Sequence, residues 1–127
     1  MAPSVTVVTL INDLLFQPKV EHGLRQAGYH AVRYRADVSV ADLLHTDGPA
    51  AGLVDLDAGG SLAALTRLLG AGVPVVAFCG HTNEAQRGAA RAAGVTVLAS
   101  RGEVHGDLPG LIRKALAHVP DPDCDHC

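Results

Sequence analysis

The residues whose types and spacing suit chemistry fall into two groups. The first lies where apolar runs end. Gly52-Leu53-Val54-Asp55-Leu56-Asp57 closes one run with two acids, Asn12-Asp13 follow a run over residues 5–11, Cys79-Gly80-His81 close a third, and Ser100-Arg101 follow a fourth. A carboxylate leaving the C-terminal end of a buried parallel strand sits where open α/β sheets hold their ligands. The second group is Cys124-Asp125-His126-Cys127, three soft or borderline donors within four residues. A C-x-x-C pair of this kind chelates zinc or copper(I).

Each group also has a plainer reading. Asp55 can be a solvated strand-end carboxylate, with Asp57 complementing the dipole of the next helix. Cys79 reads as a small buried hydrophobe, since no base stands at catalytic spacing from it. His81 either lines the pocket or is an exposed loop residue. At the terminus, a closed zinc site takes four ligands, and only His118, His105 or another subunit's tail would complete this one. As a redox pair it lacks the helix N-terminus that lowers a thiol pKa, and Asp125 pushes the other way.

Positioning the first group requires parallel strands. Residues 5–11 form a β-branched run with apolar residues on both parities, the pattern of a strand covered on both faces. Leu14, Phe16, Val20, Leu24 and Ala27 then recur at helical steps, with Pro18 in the first turn and Gly28 as the stop. The unit repeats. A strand over 30–34 precedes a helix over 40–45 capped by Ser39, and a strand over 50–56 precedes a helix capped by Ser61 that stops at Gly70. A strand over 73–79 leads to a helix over 83–93, with Thr82 as N-cap and Gly94 as stop. A strand over 95–99 leads to a helix over 108–119, with Asp107 as cap and Pro109 in its first turn.

Such alternation with right-handed crossovers predicts an α/β fold: a doubly wound three-layer sandwich on a five-stranded parallel sheet, of flavodoxin-like topology. One domain over 1–119 is expected, followed by a flexible tail over 120–127 that has two prolines and no apolar periodicity. At 127 residues, 48% apolar and 18% charged, the chain is long enough for a single core.

The remaining composition narrows the function. A net charge of −3, no Trp, two Phe and two Tyr argue against nucleic acid. The apolar runs are far shorter than the roughly 20 residues of a spanning helix, and Met1-Ala2-Pro3 opens no basic-then-apolar leader. With three cysteines and no disulfide framework, a cytoplasmic protein without membrane contact is expected. Neither G-x-G-x-x-G nor G-x-x-x-x-G-K-[ST] occurs, nor the D-x-H-x-x-G of cobalamin modules. Asn12-Asp13-Leu14-Leu15 is not the hydroxyl-rich loop that a flavin phosphate needs. No nucleotide or flavin is expected.

The strand ends, the element order and the acid closing the third strand resemble the receiver domain of bacterial response regulators over residues 5–119. Asn12-Asp13-Leu14-Leu15-Phe16, Val75-Val76-Ala77-Phe78-Cys79-Gly80-His81 and Ala89-Ala90-Arg91-Ala92-Ala93-Gly94 are closer to a divergent, receiver-like branch. The resemblance implies Asp55 as phosphoacceptor and Asn12-Asp13 as the remnant of the acidic pair, so that Asp13 and Asp55 would bind Mg²⁺. It also implies a pocket that includes Asp57, Cys79, His81, Ser100 and Arg101. Three working groups of the family are changed. Cys79 stands in the place of a Thr or Ser, Ser100 in that of the lysine, and Val97 in that of the switch aromatic. Arg101 replaces the missing cation only by swinging into the pocket.

These departures favour a degenerate, stand-alone receiver: a pseudo-receiver acting through protein–protein interaction rather than one phosphorylated on Asp55. It would not be an enzyme. The expected partners are a histidine kinase or a downstream effector, and the fourth and fifth helices with the strand between them are the expected docking or homodimer surface. The alanines Ala85, Ala89, Ala92 and Ala93 either allow close approach there or fit a thin helix onto the sheet. The alternative from another class is a small metal-binding protein that uses Cys124, His126 and Cys127 for zinc or copper.

Overall fold

The computed structural model describes residues 5–44, 49–79 and 84–117. Five strands alternate with five helices: β1 (Thr6–Leu10), α1 (Phe16–Gln26), β2 (His30–Arg33), α2 (Val40–Leu44), β3 (Ala50–Asp55), α3 (Ser61–Gly70), β4 (Val75–Cys79), α4 (Glu84–Ala92), β5 (Val97–Ser100) and α5 (Arg101–Ala117). The strands form one parallel sheet in the order β2-β1-β3-β4-β5. The doubly wound sandwich expected from the alternation is therefore the fold. Strand order reverses between β1 and β3, which opens a crevice at their C-terminal ends.

Side-chain alternation along each strand feeds two apolar layers. On one face Val7, Leu53, Val76 and Phe78 pack against Phe16, Val20 and Leu24 of α1 and Val104, Leu108 and Ile112 of α5. On the other, Val8, Val54, Val75, Ala77 and Cys79 meet Val40 and Leu43 of α2, Leu65 and Leu68 of α3 and Ala90 of α4. Every residue of β4 is buried. Burial of this kind stabilises by about 1.5–3 kcal/mol for each large apolar side chain. Gly52 lets α3 approach closely, because a Cβ there would lie 2.9 Å from Leu68 Cδ1.

Several local expectations hold. Ser39 Oγ accepts the Asp42 N–H, Asp107 Oδ1 accepts the Gly110 N–H, and Gly28 and Gly94 have the positive φ of helix stops. Others need correction. Ser61 is not a cap: Gly60 precedes α3, and the buried Ser61 hydroxyl donates to the Leu56 carbonyl. The positive-φ stop of α3 is Gly72 rather than Gly70. Leu14 lies outside α1 and is 82% exposed, as is Leu15, because the chain turns at Asp13 before the helix begins. Ala90, not the predicted alanine set, is the residue of α4 buried on the sheet, whereas Ala85, Ala92 and Ala93 are exposed.

The largest correction concerns α5. Helix begins at Arg101 immediately after β5, continues to a non-helical Asp107 (φ −154°, ψ 62°), and resumes with the expected segment. The cause is a reciprocal cap: Ser100 Oγ accepts the Glu103 N–H at 3.1 Å, and Glu103 Oε1 accepts the Ser100 N–H at 2.9 Å. Gly80, His81, Thr82, His118 and the Cys124–Cys127 group lie outside the described residues. No helix among the described residues is long and apolar enough to cross a membrane.

Candidate functional site

The crevice is built from three strand ends. Asp55, the last residue of β3, is fully buried. Its Oδ2 accepts the Asn12 N–H at 3.2 Å and its Oδ1 the Asp57 N–H at 3.0 Å. A solvated strand-end carboxylate is thereby excluded. Burying an ionised carboxylate costs several kcal/mol unless it is paired and hydrogen-bonded, and the structure supplies the pair. Arg101 Nη2 lies 3.6 Å from Asp55 Oδ2, while Nη1 of the same guanidinium lies 3.5 Å from Asp13 Oδ2.

Each partner is held from a different element. Asp13 accepts the N–H groups of Leu15 and Phe16 on Oδ1, at 2.8 and 3.2 Å, and its carbonyl accepts those of Phe16 and Gln17. One aspartate thus starts α1 and points its second oxygen into the crevice. Those two N–H donors hold the Asp13 carboxyl below its usual range, with smaller help from Arg101 and Lys19 and against desolvation. The loop beyond Asp55 is pinned through the Leu56 carbonyl, which accepts the Ser61 hydroxyl and the Gln86 amide.

Arg101 is placed by the cap that starts α5 and is steered by two rings. Its Cζ lies 5.0 Å from the centroid of Phe16 and 5.7 Å from that of Phe78, while the rings themselves meet edge to face at 5.9 Å. His105, one turn later, leans on the outer side of Phe16 at 4.4 Å. Only a third of the Arg101 side chain is exposed.

The structure therefore brings together Asn12 (through its backbone), Asp13, Asp55, Asp57 (through its backbone) and Arg101. Two of the expected pocket residues are committed elsewhere. The Ser100 hydroxyl serves the cap of α5. Cys79 belongs to the apolar layer with Leu56, Ala77 and Ala90, on the sheet face opposite Phe78. His81 lies outside the described residues. Phe16 and Phe78 form a wall that sequence reasoning treated only as core; alternation along β4 and the helical spacing of α1 place them in one layer but give no sign of a cation between them.

The family frame implies Mg²⁺ at this point, and the donor set fits it poorly. Asn12 brings a neutral amide and a backbone N–H in place of a second acid, Asp13 Oδ1 already takes two N–H groups, and the Oδ2 atoms of Asp13 and Asp55 face a guanidinium. Among the described residues, no group of three or more His, Cys, Asp or Glu is placed to hold a metal ion.

No family model and no curated protein matches the chain. Solved structures do. A response regulator from Thermotoga maritima superposes with a TM-score of 0.70 at 14% identity, over 91% of this chain and 100% of that one. The fold is that of response-regulator receivers. A regulator from Chloroflexus aurantiacus gives 0.73 at 18% identity, over 91% of this chain and 100% of its own. The chemotaxis protein CheY4 of Vibrio cholerae gives 0.71 at 12%, over 89% and 99%. Against longer regulators the chain spans less: 60% of StyR and 59% of full-length FixJ from B. japonicum.

Proposed function

We propose that this chain is a receiver-like signalling module of the two-component type that works by binding protein partners and does not accept a phosphoryl group. One observation carries the reading: the carboxylate in the phosphoacceptor position, Asp55, is fully buried, accepts two backbone N–H groups and is ion-paired with the Arg101 guanidinium. In-line attack by Asp55 needs a cation to neutralise the incoming phosphoryl charge. Here the available cation is already paired with the would-be nucleophile.

The surroundings support the same reading. A thiol in the apolar layer replaces a hydroxyl that would bond the phosphoryl group, and the Ser100 hydroxyl is engaged in a helix cap. A pseudo-receiver held in one state would present its surface constitutively to a kinase or effector. The face of α4, β5 and α5 is the surface assigned to that role, with cytoplasmic partners of the two-component kind.

Incubating the protein with acetyl phosphate and Mg²⁺ and measuring its intact mass tests the proposal. The expected spectrum shows the unmodified chain. An added phosphoryl group that disappears in Asp55→Asn would contradict it.

A further inference from the structure

We infer that Arg101 is the resident cation of the crevice: a side chain of the protein itself neutralises Asp13 and Asp55, so that the pocket is complete without a divalent ion and excludes one. This deepens the reading above and rests on it for the role of the pocket, though not for the geometry.

The placement of Arg101 is the first argument. It is the first residue of α5, directly after the capping Ser100. A cation is unfavourable there, because the first turn of a helix carries the positive end of its dipole. Glu103, two residues on, has the sign that this position prefers. An arginine that gains nothing from its helix is held by what lies across the crevice, and the two acids there meet separate nitrogens of one planar fork.

Confinement is the second. The guanidinium is bounded by Phe16 from α1 and Phe78 from β4, so it cannot leave the carboxylates without leaving both rings. A magnesium or manganese ion needs a near-octahedral set of oxygens and gives up its waters reluctantly. To enter, it would have to displace Arg101 from the Oδ2 atoms of Asp13 and Asp55, and Asp13 Oδ1 already accepts two N–H groups. Two carboxylates and one guanidinium sum to −1, whereas removing the guanidinium leaves −2 in a partly buried site. Loss of Arg101 should therefore create the divalent-ion affinity that the wild type lacks.

The test uses the full chain and Mn²⁺ as probe, read by paramagnetic broadening of the backbone amides of Asn12, Asp13 and Asp57. Wild type is expected to show no saturable broadening at these three. Arg101→Gln should show saturable broadening with an apparent affinity at least about tenfold higher, the scale of one uncompensated charge, and adding Asp55→Asn should abolish it. Arg101→Met, which keeps the apolar stem against the rings, provides a second background with the same expectation should Arg101→Gln fail to fold. Saturable binding by the wild type, or no gain in either variant, overturns the inference. Mn²⁺ binding to a wild type that stays unphosphorylated would sink the resident-cation claim alone, whereas phosphorylation of Asp55 without divalent binding would sink the functional proposal alone.

Discussion

Arg67 and Arg101 each stand beside an aromatic ring, yet they face opposite kinds of partner. Arg67, on α3, lies 5.5 Å from the Tyr34 ring and donates to the Tyr34 hydroxyl at 2.6 Å and to the carbonyls of Val38 at 2.8 Å and Ala36 at 3.4 Å. Its partners are neutral and follow β2, so it clamps the β2–α2 loop to α3. Among the described residues Arg101 donates no hydrogen bond to a carbonyl and faces two carboxylates, one of them fully buried. The difference separates an arginine that fastens backbone from one that balances charge. Removing the first leaves acceptors that water can satisfy; removing the second strands a buried anion.

Stability measurements can break that comparison. Arg101→Ala should be the most costly change, about 2–3 kcal/mol by urea denaturation, the lower end for breaking a buried pair because Arg101 is itself partly exposed. Arg67→Ala should cost about 1–2 kcal/mol, the net worth of a few hydrogen bonds to neutral acceptors. An Arg67 variant that costs more than the Arg101 variant would invert the assignment. Ser100→Ala removes half of the reciprocal cap and should cost about 1 kcal/mol, with hydrogen exchange rising in residues 101–106 and unchanged beyond Asp107, where a second cap starts the rest of α5.

Acid pH sharpens the same contrast with the smallest effect. Asp13 is held below the 3.8 of a free aspartate and Glu103 below the 4.5 of a free glutamate, in each case chiefly by backbone N–H groups. Their stabilisation is thus complete above those unfolded-state values and is lost as pH falls through the lower folded ones. Followed site by site by NMR, the Asp13 carboxyl should titrate unchanged in Arg67→Ala. It should shift only slightly in Arg101→Ala, because the Leu15 and Phe16 N–H groups outweigh Arg101 at Asp13. A large shift in the Arg101 variant would show that the guanidinium, not the turn at the start of α1, governs that carboxyl.

The legibility of this molecule in its sequence follows from the range of the interactions involved. The two-sided apolar runs of β1, β3 and β4 and the glycines at 28 and 94 are local signals, and they were enough to place five parallel strands and an acid at the end of the third. The capping box Ser100-x-x-Glu103 ahead of Val104 was also local and readable. The resemblance, by placing Ser100 in the pocket, obscures that cap and with it the first turns of α5. The pairing of Arg101 with Asp55 spans 46 positions and depends on where Phe16 and Phe78 set the guanidinium. The family resemblance offers the arginine as a substitute cation but cannot bring it to the carboxylate. Burial of Asp55 was likewise illegible, since a strand-end acid is equally compatible with solvent until its donors from Asn12 and Asp57 are located.

A double-mutant cycle of Arg101→Gln and Asp55→Asn, read by equilibrium unfolding, tests the charge-balanced crevice most directly. The account predicts a coupling of about 1–3 kcal/mol, with Arg101→Gln much less harmful once Asp55 is neutral. Additive effects, with coupling near zero, would contradict it.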